Sequence, residues 1–348
     1  MTKHALTLAL ALAIGARASV AQSASANFVQ VIPRENEQRV DVLVGGRAFT
    51  SYIWPASLKK PVLYPLRSAN GTVVTRGYPL EPRTGERVDH PHQAGLWFTY
   101  GDVNGLDFWN NSIAIAAADA PKMGTIVHRA VRGHASGAGE GTLDVSMDWT
   151  NSAGVALLRE ETRFVFRARN GVRSIDRVTT LTALDSAVSF TDNKEGVIGM
   201  RVARALEQPS TTPEQFVDAS GRATTVAVLD NTGVTGHYLS SEGMEGDAVW
   251  GTRGRWTMLT GTVGTTPVTL AMLDHPKNPG FPTYWHARGY GLFAANNLGQ
   301  KALSNGKDEL NFKLAPHASV TFHHEILILD GHATPADLET HYAAFTKP

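Results

Sequence analysis

The chain has 348 residues, 42% of them hydrophobic, and its 32 basic residues balance 32 acidic ones. With no block of like charge, that balance argues against nucleic acid or an anionic membrane surface as partner and favours a neutral small-molecule or oligosaccharide substrate. Cysteine is absent, which excludes disulfides, thiolate nucleophiles and a lipid-modified cysteine anchor.

Residues 1–26 have the build of a secretory signal peptide. Lys3 and His4 precede an apolar run from Ala5 to Ile14, and small residues at Ser19 and Ala21 place cleavage after Ala21 or after Ala26. The run is too short to cross a bilayer, which needs about 20 residues, and no later segment approaches that length. A periplasmic or secreted protein without membrane insertion is expected, with residues 27–348 forming one large domain.

From there the period-2 signal of β-strands dominates. FVQVI (28–32), RVDVLV (39–44), AFTSYIW (48–54) and PVLYPLR (61–67) are short, β-rich and separated by turn residues. Further strands are expected at 123–131, 142–149, 156–168, 173–184, 197–203, 254–261, 267–273, 291–296 and 317–329. In LLREETRFVFRA (157–168), Arg159, Glu161, Arg163, Val165 and Arg167 share one face, while Leu158, Glu160, Thr162, Phe164 and Phe166 share the other. Helical period is confined to TPADLETHYAAF (334–345), with Thr334 as N-cap and Pro335 at the first helical position. The loop-rich stretch 207–250 reads as an insertion at a rim. Together these elements predict an all-β fold, a large antiparallel supersandwich with a short C-terminal helix.

Four stretches could carry chemistry. In DHPHQAGLWFTYGDVNGLDFW (89–109), Pro91 should hold His90 extended, and His90 and His92, two apart, should point the same way. Trp97 and Trp109 offer flat faces on which a sugar could stack, and Asp107 could take a hydroxyl; the bland reading makes the aromatics core and the polar residues a turn. TDNKEGVIGMRVARALE (191–207) places Glu195 beside Lys194 at a turn, with Arg201 on the following strand; an ordinary hairpin would look the same. HPKNPGFPTYWHARGYGLFAANNLGQ (275–300) contributes Trp285, His286, Arg288 and Asn297, with His286 and Arg288 on one face; a rim loop with incidental aromatics is the alternative. In VTFHHEILIL (320–329), His323 and Glu325 share a face opposite His324, which reads as a core histidine.

The motifs YPLRSANGTVVTRGYP, DHPHQAGLWFTYGDVNGLDFW, DNKEGVIGMRVA and WHARGYGLFAANNLGQ, in that order, resemble a family of exported bacterial proteins labelled "methane oxygenase PmoA". The likeness runs from about residue 60 to residue 330. The label itself conflicts with physics, because a membrane subunit of methane monooxygenase needs several transmembrane helices. In strand layout the family is similar to galactose-mutarotase-like supersandwiches, which implies sugar chemistry by analogy. Gln93 and Ala94 stand where the family's run has a third histidine and an arginine, and Asn297 where it has a proline.

These readings converge on a cleft with His90, Glu195 and His286 as catalytic groups. His92, Trp97, Asp107, Trp109, Lys194, Arg201, Trp285, Arg288 and Asn297 would bind substrate. An exported carbohydrate-active enzyme, a glycoside hydrolase or lyase with His/Glu acid–base chemistry, is the leading expectation. A non-catalytic sugar-binding protein and a metal-dependent enzyme remain as alternatives. No cofactor is expected, although His90 and His92 could hold a divalent metal.

Overall fold

The computed structural model describes residues 26–347; the expected signal segment, apart from Ala26, lies outside them. Two large sheets make up the architecture. The first has nine strands in the order Tyr284–Arg288, Leu292–Asn296, Gly196–Arg201, Leu96–Tyr100, Val62–Leu63, Arg47–Ile53, Arg39–Val44, Phe28–Arg34 and Gly137–Ala138. The second has eight, in the order His237–Ser240, Trp256–Val263, Thr266–Asp274, Ser319–Asp330, Val172–Ala183, Ala156–Arg169, Glu140–Thr150 and Thr125–Ala135. Their strand pairings run antiparallel. This is an all-β supersandwich with a short C-terminal helix, Pro335–Phe345. Thr334 and Asp337 close a capping box at the helix start, and Leu338 and Tyr342 bury against Trp256, Met258, Ala271, Leu273 and Leu327.

The core between the sheets follows the alternation read from the sequence. Leu158, Phe164 and Phe166 enter it, and with them goes Glu160, which is fully buried. That charge is matched by Arg177 at 2.6 Å and by hydrogen bonds from Trp149 Nε1 at 2.8 Å and Thr162 Oγ1 at 2.6 Å. A buried carboxylate is tolerable only when so fully partnered.

Two strands that position the site are not legible as strands in the sequence. All five residues of Leu96–Tyr100 are buried, so hydrophobic alternation is absent. Leu96, Phe98 and Tyr100 face the core, while Trp97 joins a satellite cluster with Trp109, Val62 and Tyr64 on the outer face. Strand Tyr284–Arg288 sends Trp285 and Ala287 into the core and therefore His286 and Arg288 to the outer face. The expected strand at 61–67 shrinks to Val62–Leu63. In the rim insertion, Glu214–Val217 and Ala223–Val226 form a hairpin of their own, and His237–Ser240 joins the second sheet.

Gly199 leaves room for the two indoles, which pack edge to face on the outer face. A Cβ there would stand 2.8 Å from the Trp97 ring and 3.0 Å from that of Trp109. Gly199→Ala should therefore cost about 1–3 kcal/mol through overpacking, read as a lowered urea midpoint; an unchanged midpoint would show that the rings move aside freely.

Candidate active site

Asp89 is the anchor of the site. Two guanidiniums with fully buried side chains converge on it. Arg201, from strand Gly196–Arg201, places Nη2 2.8 and 2.9 Å from the two carboxylate oxygens, and Arg76 donates to Oδ1 from the other side. Oδ2, besides its contact with Arg201, pairs with His90 Nδ1 at 2.6 Å. Burial alone would raise the Asp89 pKa. The His90 hydrogen bond and the charges of Arg201 and Arg76 outweigh it and hold the carboxyl far below the usual range.

His90 is not extended, contrary to the reading from Pro91: its φ is 44°, in the left-handed region that non-glycine residues enter only at a cost. Hydrogen bonds to its carbonyl from Gln93 N (2.9 Å) and Arg76 Nη2 (3.1 Å) hold it there. Its ring stacks on Tyr290, with centroids 5.3 Å apart and planes within 1° of parallel. Tyr290 in turn lies under the Arg201 guanidinium at 4.7 Å. The His90 side chain is still 43% exposed, so with Nδ1 engaged by Asp89 its Nε2 is the atom left for solvent or a ligand.

The second half of the site comes from two neighbouring outer-face positions. His286 Nδ1 lies 3.7 Å from Glu195 Oε2, and Lys194 Nζ lies 3.2 Å from Glu195 Oε1. Burial, then the charges of Arg288 and Lys194, lowers the His286 pKa to about 3, with a further contribution from His90. Tyr290 feels the charges of Arg201, Glu195 and Arg288. His90, Tyr290, Glu195, His286, Lys194 and Arg288 thus share one electrostatic neighbourhood. Arg288 lies 4.5 Å over the Trp250 ring at its edge, and Gln208 donates to Asp247 at 2.8 Å beside it.

Several residues expected to touch substrate do other work. Trp285 is fully buried in the core on the opposite face from His286, because adjacent strand residues point opposite ways. Trp97 and Trp109 lie on the correct face but are sealed from solvent and edge-packed at 5.3 Å, so they offer no stacking surface. Arg201 is consumed by Asp89 and by Gln93 Oε1 at 2.6 Å. Asn297, fully buried, donates to Asp274 Oδ1 at 2.9 Å and faces His324 Nε2 at 3.0 Å. Asp107 closes its own turn on Asn110, at 2.9 and 2.7 Å. His92 stays within 5.5 Å of His90, ring to ring and nearly perpendicular. Burial and the charge of Lys60 lower its pKa to about 2. Among the described residues no group of three His, Asp or Glu is arranged to hold a metal ion.

Sequence reasoning missed Arg76, Tyr290, Trp250 and Lys60. Arg76 and Tyr290 sit inside the quoted TRGYP and ARGYG segments, where a buried cation and a stacking ring are available signals. Lys60 carries no local signal. It donates to Trp109 O at 2.7 Å from full burial, which lowers its pKa to about 7.

The chain belongs to a family of unknown function, DUF6807, whose sequence model matches residues 39–343. The matching model carries that description and not a methane-oxygenase label. No curated protein matches the chain. Among solved structures it is similar to the α-galactosidase from Lactobacillus brevis, at 11% identity and TM-score 0.40, covering 88% of this chain and 40% of that one. The chain thus spans about two fifths of that enzyme's length. It is also similar to the GalM/aldose epimerase homologue from C. elegans, at 10% identity and TM-score 0.30, covering 89% of this chain and 100% of that one.

The two buried imidazoles make stability depend on pH with a definite sign. His92 and His286 remain neutral in the folded chain down to about 2 and about 3, whereas unfolded histidine takes its proton near 6.5. Their contribution is complete above about pH 6.5 and is lost on acidification, at about 1.4 kcal/mol per pH unit for each ring. Glu325, raised to about 7 by burial, runs the other way, so the comparison between proteins carries the test. Between pH 6 and 4.5, His286→Asn should lose stability less steeply than the wild type by about that single-ring slope, measured by urea unfolding; parallel slopes would show that His286 is not held neutral.

Proposed function

We propose that the chain is an exported enzyme that performs general acid–base chemistry on a carbohydrate in the Asp89–His90 cleft, by hydrolysis or elimination. One observation carries this reading: an exposed imidazole whose Nδ1 is engaged by a carboxylate that two buried guanidiniums fix in place. A structural histidine does not need such support, and strain at φ 44° is typical of groups held for function.

In this reading His90 Nε2 takes or delivers the proton, because Asp89 holds the hydrogen on Nδ1. Glu195 supplies the second acid–base group. His286 lies beside Glu195 without hydrogen-bonding it and carries no charge, since its depressed pKa keeps it unprotonated. Arg288, with Lys194 at the cleft edge, clamps an oxygen-rich or acidic substituent, and the Tyr290 and Trp250 rings bound the space. The even charge balance of the chain fits a largely neutral substrate.

A panel of neutral and acidic glycans, scored for new reducing ends and for ultraviolet absorbance of unsaturated products, tests the proposal. Turnover of at least one glycan is expected. His90→Ala should reduce it by about 10²–10⁴-fold with the circular dichroism spectrum unchanged, and a chelator should leave it intact. Binding without turnover would make this a sugar-binding protein, loss on chelation restored by a divalent ion would favour a metal at His90 and His92, and full activity in His90→Ala would remove the proposed acid–base role.

A further inference from the structure

We propose that the recess beside Arg47 and Arg173, at one end of the sandwich, is a binding site for an oxyanion group, a carboxylate or a tetrahedral sulfate or phosphate. The recess is about 330 Å³ in volume, and no residue of the Asp89–His90 cleft lines it. It lies where two hairpin turns meet, Val44–Arg47 of the first sheet and Arg169–Val172 of the second. Both turns are two-residue connections with left-handed backbone, at Gly45 (φ 55°) and Gly46 (φ 75°) and at Asn170 (φ 39°) and Gly171 (φ 79°), the form that matches the twist of the flanking strands.

An unpaired buried cation points to the anion. Among the described residues the buried arginines are Arg76, Arg87, Arg173, Arg177 and Arg201, each at most 5% exposed. Four of them reach a carboxylate: Arg76 and Arg201 share Asp89, Arg87 meets Glu207 at 2.7 Å and Arg177 meets Glu160 at 2.6 Å. Arg173 makes no ion pair among the described residues, and its one hydrogen bond runs from Nη1 to the carbonyl of its own neighbour Val172 at 3.2 Å. Residues 1–25 contain no Asp or Glu. Arg173 enters the end of the core on the same face as Ile175, between Ala168 and Ile328 of the adjoining strands, so its neighbours there are apolar. A guanidinium desolvated without a counter-charge is unfavourable, and an arriving oxyanion relieves it.

The rest of the recess agrees in sign and in chemistry. Arg47, exposed at the start of its strand, is anchored by Nη2 to Ala69 O at 3.0 Å. Burial, then the Arg47 charge, lowers the Arg173 pKa, and Asp330 on the exposed rim opposes that shift only in part. Two cations against one carboxylate leave the recess positive. Asn70 uses Oδ1 to accept from Ser68 Oγ at 2.6 Å and from Thr72 N at 3.0 Å, which leaves its NH2 as a donor on the same wall. A planar guanidinium presents paired N–H groups that match a carboxylate, sulfate or phosphate. The volume falls within the range of small-molecule sites, so the anion can enter with a carrier attached.

Calorimetry on the full chain with inorganic sulfate, glucose 6-sulfate and glucuronate, at an ionic strength held constant with chloride, tests this. At least one of the three should bind saturably, and glucose should not compete with it. Arg173→Met should remove the binding and Arg47→Gln, at an exposed position, should weaken it about tenfold or more. Arg288→Gln, which alters the Asp89–His90 cleft, should leave it unchanged, so this site and that cleft are judged separately. Tighter binding of glucose 6-sulfate than of inorganic sulfate identifies an ester, the reverse a bare ion, and tightest binding of glucuronate a carboxylate; each supports the site. Arg173→Met strands no partner, so its urea midpoint should not fall, and a fall would count against the site by showing the guanidinium already compensated. Absence of saturable binding of all three to the wild type, or wild-type affinity in Arg47→Gln or Arg173→Met, would overturn it.

Discussion

Asp89 held between Arg76 and Arg201 is the interaction on which the site depends. Both guanidiniums are removed from water, and an unpaired buried charge costs several kcal/mol. The carboxylate therefore does two things at once. It pairs with two cations that the outer-face packing has desolvated, offsetting one of their two charges, and it ties the loop carrying His90 to the strand Gly196–Arg201. Loss of that carboxylate would leave two buried positive charges and a loop without its attachment, so the geometry of His90 and the stability of the first sheet's outer layer are coupled.

The layer beneath explains why the clamp sits where it does. Gly199 removes a side chain from the sheet, Trp97 and Trp109 fill the space, and Tyr290 stacks against both the Arg201 guanidinium and the His90 ring. Indole and phenol here act as packing for charged groups. Cations stack on aromatic faces at modest cost, which permits guanidiniums to be buried without a matching number of acids. Gln93 fits the same logic. Standing where the resembling family has a histidine, its Oε1 accepts from Arg201 at 2.6 Å and its carbonyl accepts from Arg76 at 3.1 Å, so it serves the clamp from a buried position.

Much of this fold was legible in the sequence because most strands have one face in the core and one in water. The alternation of Arg159 to Arg167 against Leu158 to Phe166 is the clearest case. Leu96–Tyr100 was not legible, since a strand covered on both faces loses its period. Among site residues, His90, Glu195, His286 and Arg288 stood out as ionisable groups beside glycines. The tryptophans misled for a physical reason: composition cannot separate a ring that lines a cleft from one that seals the layer below it. Tyr290 was hidden because its partners His90 and Arg201 lie far along the chain, and His90's left-handed backbone because hydrogen bonds to its carbonyl from Gln93 N and Arg76 overrode the local influence of Pro91.

The central claim is that Asp89 fixes one tautomer of His90 and aims its Nε2 outward as the proton-transfer atom. Long-range proton–nitrogen NMR of the neutral His90 ring in the full chain tests it most directly. The account predicts a hydrogen on Nδ1 and a bare Nε2, with this preference lost in Asp89→Asn. A hydrogen resident on Nε2 in the wild type, or free exchange between the two nitrogens, would contradict it.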